Sequence, residues 1–132
     1  MKPFIFIALD DLADKKTQTL QTANSLSKIK GHFGFKLNLD YLLNPSKGLR
    51  DILEPIQQLG RPVFADIKMW NGTRTMASVI EKLVALDVDY LNVYALADTL
   101  LPKVTEVAKG TRTKVLGLTV LTHFNEVYCQ KH

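Results

Sequence analysis

Apolar and polar residues follow two rhythms along this chain, one typical of buried strands and one typical of amphipathic helices. Short continuous apolar runs predict strands that are buried on both faces. Between these runs, apolar residues recur every three or four positions, which is the spacing of one helix face. The two patterns alternate strictly, so the sequence predicts a β-α unit repeated four times and then a fifth strand.

The predicted elements have clear limits, because Gly, Pro or charged residues separate them. Strands are predicted at 3–9, 33–37, within 61–71, 90–95 and 115–121. Helical stripes cover 20–29, 49–59, 76–86 and 100–108, and residues 123–132 predict only a short final helix. We expect the first strand to be buried on both faces, because its apolar run is unbroken.

Strict alternation of strands and helices with short loops predicts parallel strands joined by right-handed crossovers, and hence an α/β fold. A doubly wound dinucleotide-binding sheet and a (β/α)₈ barrel are the two candidates. Residues 8–12, which follow the first strand, lack the glycine fingerprint of a dinucleotide site. Charged residues instead follow several strands, where a barrel keeps its functional groups. The sequence favours one domain, residues 1–132, made of parallel β/α units of a TIM-type barrel truncated after about strand five.

Composition excludes several classes of partner. The 132 residues are 46% hydrophobic and 23% charged, as in an ordinary globular domain. No segment approaches the ~18 consecutive apolar residues of a membrane span, and acids soon follow the apolar start, so we expect a cytoplasmic protein. The net charge of +4 comes from scattered basic residues without a basic stripe, so no nucleic-acid partner is expected. The single cysteine, Cys129, predicts neither a disulfide nor a metal site.

The main chemical signal is the pair Asp66 and Lys68 at the end of the third predicted strand. Side chains two apart on a strand share a face, so we expect an ion pair there. An exposed pair is worth only about 0–1 kcal/mol, but this pair has apolar neighbours and Gly72 follows it. Buried charge pairs are typical of active sites. Asp10 and Lys36 also lie at strand ends, although a lone Lys at such a place is equally compatible with a solvated rim residue.

Four segments, in this order, resemble the orotidine 5′-phosphate decarboxylase family. They are residues 8–10 (Ala-Leu-Asp), 33–36 (Phe-Gly-Phe-Lys), 66–68 (Asp-Ile-Lys) and 118–122 (Leu-Thr-Val-Leu-Thr). The third segment corresponds to the family's D-x-K-x-x-D signature. A related branch, typified by 3-keto-L-gulonate 6-phosphate decarboxylase, shares this signature, but residues 118–122 resemble the orotidine branch.

The resemblance implies a homodimeric barrel that converts orotidine 5′-phosphate to uridine 5′-phosphate and CO₂, in pyrimidine synthesis, with no metal or organic cofactor. Asp66 would lie beside the substrate carboxylate, and Lys68 would protonate the carbon that loses it. The implied catalytic residues are Lys36, Asp66, Lys68 and Asn71, and the implied substrate-binding residues are Asp10, Lys36, Thr75, Thr122 and His123. Asp10 and Lys36 would hold the ribose.

The chain also departs from the family pattern. Asn71 stands where the signature has a second Asp, Tyr94 where His is usual, and His123 where Ser is usual. A complete barrel takes ~250 residues and binds phosphate after strands seven and eight, so we expect the phosphate loop and its arginine to be missing. We therefore expect a decarboxylase-like protein that is inactive alone. The alternative is a non-catalytic remnant with a binding or structural role.

The predicted ends of the sheet suggest partners. A barrel that stops at strand five leaves strands one and five with unpaired backbone groups. Both runs are apolar, so we expect either a homo-oligomer or a separate chain that carries the missing half of the barrel.

Overall fold

The computed structural model describes residues 3–10, 15–43, 48–69, 71–121 and 126–131. Strands and helices alternate in the predicted order. The strands are β1 (Ile5–Ala8), β2 (Phe33–Asn38), β3 (Val63–Asp66), β4 (Tyr90–Tyr94) and β5 (Lys114–Leu118). The helices are α1 (Lys16–Ser27), α2 (Leu39–Leu42), α3 (Leu49–Gln57), α4 (Thr73–Ala85), α5 (Leu101–Ala108) and α6 (Glu126–Lys131).

The strands form one parallel sheet in the order β1-β2-β3-β4-β5. Each strand pairs with the next one in the chain, so every right-handed crossover steps in the same direction and the helices cover one face. A doubly wound sheet instead reverses direction and carries helices on both faces. The strand order therefore confirms parallel β/α units of the TIM type.

The helix-covered face of the sheet holds the main core. Apolar side chains from β2, β3 and β4 pack there against α3 and α4, and each buried side chain of this size contributes about 1.5–3 kcal/mol. The completely buried members include Phe35, Leu37, Val63, Ala65, Leu91, Val93, Leu53, Ile56, Met76 and Ile80. This layer anchors the strands whose ends carry the charged residues.

The opposite, inner face is aromatic near the amino ends of the strands. The ring of Phe6 lies 5.2 Å from that of Phe64 and 5.0 Å from that of Tyr90, measured between centroids. Gly34 is paired with Phe6 on this face. A Cβ on Gly34 would lie 2.4 Å from the carbonyl oxygen of Pro62 and 2.9 Å from the Phe6 ring. Glycine is therefore required here by close packing.

Both outer strands differ from their predictions. β1 is not buried on both faces as expected: it is an edge strand, and Ile5 is 60% exposed. β5 ends at Leu118, short of the predicted residue 121, and it begins with the exposed Lys114. The β5 edge therefore carries a charge that the predicted apolar run 115–121 lacks, because the strand starts one residue earlier than that run.

Two differences concern the middle of the chain. The short helix α2 directly follows β2 and was not predicted, because four residues are too few to show a helical period. β3 ends at Asp66, so Lys68 lies beyond the strand.

In the described residues, no helix is both long and apolar enough to cross a membrane.

Candidate active site

The predicted charged residues meet at the carboxyl end of the sheet. Lys36 is paired with Ala8 of β1, and Asn38 is paired with Asp66 of β3. Residues that are directly paired in a parallel sheet point to the same side, so these side chains share the inner face. Asp10 follows β1 at the same end. The shared edge predicted from the sequence therefore forms.

Asp66 is the centre of this cluster. Its side chain is only 4% exposed. Its Oδ2 accepts hydrogen bonds from Lys36 Nζ at 2.8 Å and from Lys68 Nζ, and its Oδ1 accepts one from Asn92 Nδ2 at 2.6 Å. Both carboxylate oxygens are thus bound by donors, which a buried charge requires.

The surroundings of Asp66 keep it ionised. Burial alone would raise its pKa, but hydrogen bonds from Lys36, Lys68 and Asn92 together with the charge of Lys36 outweigh burial. The pKa of Asp66 is therefore lowered from its ordinary value. Asp66 therefore carries a negative charge at the end of β3 at neutral pH.

Lys36 has an acceptor for each of its three ammonium hydrogens. Its Nζ donates to Asn38 Oδ1 at 2.7 Å, to Asp66 Oδ2 at 2.8 Å and to Asp10 Oδ2 at 3.4 Å. Burial alone would lower the pKa of Lys36, but the hydrogen bonds and charges of Asp66 and Asp10 raise it above its ordinary value. Lys36 is therefore a fixed cation without a spare hydrogen.

Lys68 differs from Lys36 in its exposure and in its partners. Its side chain is 41% exposed, and its one acceptor among the described residues is Asp66. Two of its three ammonium hydrogens therefore have no acceptor among the described residues and are available to a ligand. The ion pair with Asp66 is confirmed, but strand geometry is not its cause. Lys68 lies past β3 with φ of 41°, an uncommon backbone conformation that often occurs at functional sites.

Asn92 of β4 belongs to the cluster and was missed in the sequence. It is 4% exposed. Its Oδ1 accepts hydrogen bonds from the backbone N–H of Ile67 at 2.9 Å and of Lys68 at 3.0 Å, while its Nδ2 donates to Asp66. The sequence feature that could have identified Asn92 is that it is a single amide within the otherwise apolar run 90–95.

The remaining predicted site residues lie apart from this cluster or outside the described residues. Asn71 is exposed, and its Oδ1 accepts a hydrogen bond from the backbone N–H of Gly72 at 2.7 Å. Thr75 is exposed in the first turn of α4. Thr122 and His123 lie outside the described residues. The functional roles of all four remain predictions.

Two further observations concern metal ligands and a second cleft. Within the described residues, no group of three or more His, Cys, Asp or Glu side chains can hold a metal ion. A cleft of about 490 Å³ lies at the other end of the sheet and is lined in part by Arg61, Asp89 and Arg112. Because the charge cluster lies at the carboxyl end of the sheet, a ligand in that cleft would not contact it.

Known proteins share this sequence pattern and this fold. The chain is 26% identical over 133 residues to orotidine 5′-phosphate decarboxylase of Carboxydothermus hydrogenoformans, covering 96% of this chain and 52% of that protein. It is 30% identical over 119 residues to the Oenococcus oeni protein of the same name, covering 89% and 49%. The solved orotidine 5′-phosphate decarboxylase of Pyrococcus horikoshii superposes with a TM-score of 0.72 at 17% identity, covering 97% of this chain and 55% of that one.

These relatives and one family profile show how much of the relatives' length the chain covers and to which family it belongs. It spans about half the length of the curated relatives that it matches. The sequence profile of one family matches residues 3–132, and this match includes every charged residue of the cluster around Asp66. The chain therefore belongs to the orotidine 5′-phosphate decarboxylase / HUMPS family.

Proposed function

We propose that this chain carries the charge site of an orotidine 5′-phosphate decarboxylase, which forms uridine 5′-phosphate and CO₂. The observation that carries the proposal is the unequal pair of lysines on one buried carboxylate. Lys36 donates all its ammonium hydrogens within the protein, whereas Lys68 keeps two for a ligand. The names of the curated relatives support the substrate.

The proposed reaction needs a proton donor at a carbon atom. The bond between the pyrimidine ring and its carboxylate breaks, CO₂ leaves, and the electron pair stays on the ring carbon. Lys68 is accessible and has free hydrogens, so it stabilises the developing negative charge and then donates a proton to that carbon. Solvent returns the proton to Lys68 afterwards.

Asp66 and Lys36 prepare the site for this step. Asp66 holds Lys68 Nζ in place, and its negative charge beside the substrate carboxylate favours loss of that carboxylate as CO₂. Lys36 keeps Asp66 ionised. Because these charges are placed before the substrate arrives, little reorganisation is needed during the reaction.

Substrate binding is proposed at the rim of this cluster. The side chain of Asp10 is 44% exposed and offers carboxylate oxygens to ribose hydroxyls beside Lys36. Asn71 stands in the sequence where the family signature has a second carboxylate. The resemblance adds contacts to the substrate from Thr75, Thr122 and His123.

The proposed enzyme requires further β/α units beyond β5. β1 and β5 are the edges of the sheet, and Phe4 and Leu116, close to these edges, are 44% and 40% exposed. The relatives are about twice as long as this chain. We propose that further units, on the same or a separate chain or supplied by a second copy, cover these edges and bind the phosphate. The resemblance extends this proposal to a homodimer, and the composition extends it to a cytoplasmic location.

Complementation tests the function. The chain is assayed for uridine 5′-phosphate formation alone and mixed with the carboxyl-terminal half of the Carboxydothermus hydrogenoformans relative. We expect no turnover by the chain alone, and turnover in the mixture that Lys68→Ala abolishes. Lys109→Ala removes an exposed lysine far from the site and should have no effect. Equal turnover by the Lys68→Ala and Lys109→Ala mixtures contradicts the proposal.

A second candidate is the non-catalytic remnant, and the position of Asn71 favours it. Asn71 carries no charge, and its side chain binds Gly72 rather than Lys68. If the mixture is active, Asn71→Asp should raise turnover by restoring the second carboxylate of the family signature. An inactive mixture that still binds uridine 5′-phosphate supports the remnant. Turnover of 3-keto-L-gulonate 6-phosphate instead assigns the chain to the sugar-phosphate branch.

A further inference from the structure

We propose that Asn92 is a positioning residue that sets both the orientation of the Asp66 carboxylate and the backbone turn that presents Lys68. Neither part of its side chain contacts open solvent, because the residue is buried. Its effect on turnover rests on the proposed decarboxylase function. Its effect on the orientation of Asp66 and on the turn at Lys68 does not rest on that function. That effect is measurable in the chain alone.

The first half of this role concerns the backbone after β3. β3 pairs with β4 through Phe64 with Tyr90 and Ala65 with Leu91. Beyond this short ladder, Asn92 Oδ1 accepts the N–H groups of both Ile67 and Lys68. One oxygen that binds two successive N–H groups draws the chain into a tight turn. Lys68 adopts its positive φ in this turn.

The second half concerns the carboxylate. Asn92 Nδ2 donates to Oδ1 of Asp66 at 2.6 Å, so that oxygen is occupied. Oδ2 is then the oxygen left for Lys36 and Lys68, and both lysines bind it. A carboxylate free to rotate would divide its oxygens between the two lysines. Asn92 therefore holds both cations close to one oxygen atom, which fixes where Lys68 Nζ lies.

The amide is suited to this arrangement because it has one acceptor and one donor. An aspartate in its place would keep the acceptor for the two backbone N–H groups but place a second carboxylate against Asp66. A leucine of similar size would remove both the acceptor and the donor. Comparing the two variants separates the effect on the turn from the effect on the carboxylate.

The experiment is a carboxyl NMR titration of Asp66 with amide hydrogen exchange at Lys68. We expect Asn92→Asp and Asn92→Leu each to raise the pKa of Asp66 by about one unit or more, since both lose the donor and Asp adds a like charge. Hydrogen exchange at the Lys68 amide should be faster in Asn92→Leu and nearly unchanged in Asn92→Asp. Asn24→Asp, at an exposed position of α1, is the matched control and should change neither quantity.

The outcomes separate this proposal from a purely packing role. If Asn92→Leu fails to fold, Asn92→Asp still decides the effect on the carboxylate. An unchanged Asp66 titration in Asn92→Asp overturns the proposal. In an active complementation mixture, the variants should lower kcat by roughly 10- to 100-fold with a smaller change in KM. A mixture without turnover defeats the proposed function, whereas the titration and exchange results stand by themselves.

Discussion

At each end of the β3–β4 pair, a side-chain oxygen accepts backbone N–H groups of the neighbouring segment, but the two ends have different consequences. At the amino end, Asp89 Oδ2 accepts the backbone N–H of Val63 at 2.8 Å. At the carboxyl end, Asn92 accepts the N–H groups that follow β3. Asp89 directly precedes β4 and Asn92 lies within it. Both side chains bind backbone groups of β3 or of the residues that follow it. Side chains thus extend a backbone ladder that is itself short.

The ends differ in how deeply their charges are buried. Asp89 is 16% exposed and is bound by Arg112, whose side chain is 59% exposed, so water partly screens that pair. Asp66 is 4% exposed and binds two lysines and an amide. The amino end therefore serves mainly to hold the strands, which agrees with the stabilising role of that face in barrels. The carboxyl end holds a concentrated charge that suits catalysis.

Neutralising the carboxylate at each end should give the largest contrast. We expect Asp66→Asn to lower the free energy of unfolding by about 3 kcal/mol, because a buried pair loses its acid. Asp89→Asn should cost about 1 kcal/mol or less, since its partner is exposed and the amide still accepts from Val63. Urea unfolding of both variants measures the difference. Equal losses would show that burial does not distinguish the two ends.

A steric change at the amino end should have the next largest effect. Gly34→Ala places a Cβ against the backbone oxygen of Pro62, and overpacking of this kind costs about 1–3 kcal/mol. Gly117→Ala, on β5, is the control, because its Cβ meets Ala95 at an ordinary contact distance of 3.4 Å. The midpoints of thermal unfolding report the effect. If Gly117→Ala proves the more harmful, close packing of the amino end is not what requires glycine.

The pH dependence of stability should show the smallest effect and originate at the carboxyl end. The folded-state pKa of Asp66 lies below the unfolded value of 3.8. Its contribution is therefore present above pH 3.8 and is lost as pH falls through the folded pKa. One proton changes stability by at most about 1.4 kcal/mol per pH unit. Urea unfolding across the acid range should show a weaker dependence for Asp66→Asn than for the unmodified chain.

At alkaline pH the sign reverses, because Lys36 has a folded-state pKa above its ordinary 10.5. Its contribution is present below pH 10.5 and is lost as pH rises through the folded pKa. Lys36→Met should remove that alkaline loss. If the alkaline loss persists in Lys36→Met, it has another origin.

Periodicity and chain order were enough to predict most of the fold and four of the charged residues. Apolar spacing is a local property, so it located the strands and the principal helices. The carboxyl ends of parallel strands share an edge, and this rule is enough to predict that Asp10, Lys36 and Asp66 lie together. The same local reasoning put Lys68 on the strand, where a turn actually presents it.

Other features depend on which strands become neighbours. The sequence by itself determined the alternation of strands and helices, the acid-base pair of Asp66 with Lys68, and the family. Only the tertiary structure decided the uniform strand order, the three acceptors of Lys36 and the role of Asn92. A lone amide in an apolar run gains its function only when the end of β3 lies beside it. Contacts between residues that are distant in the chain are set by packing of the whole sheet, and local sequence does not encode them.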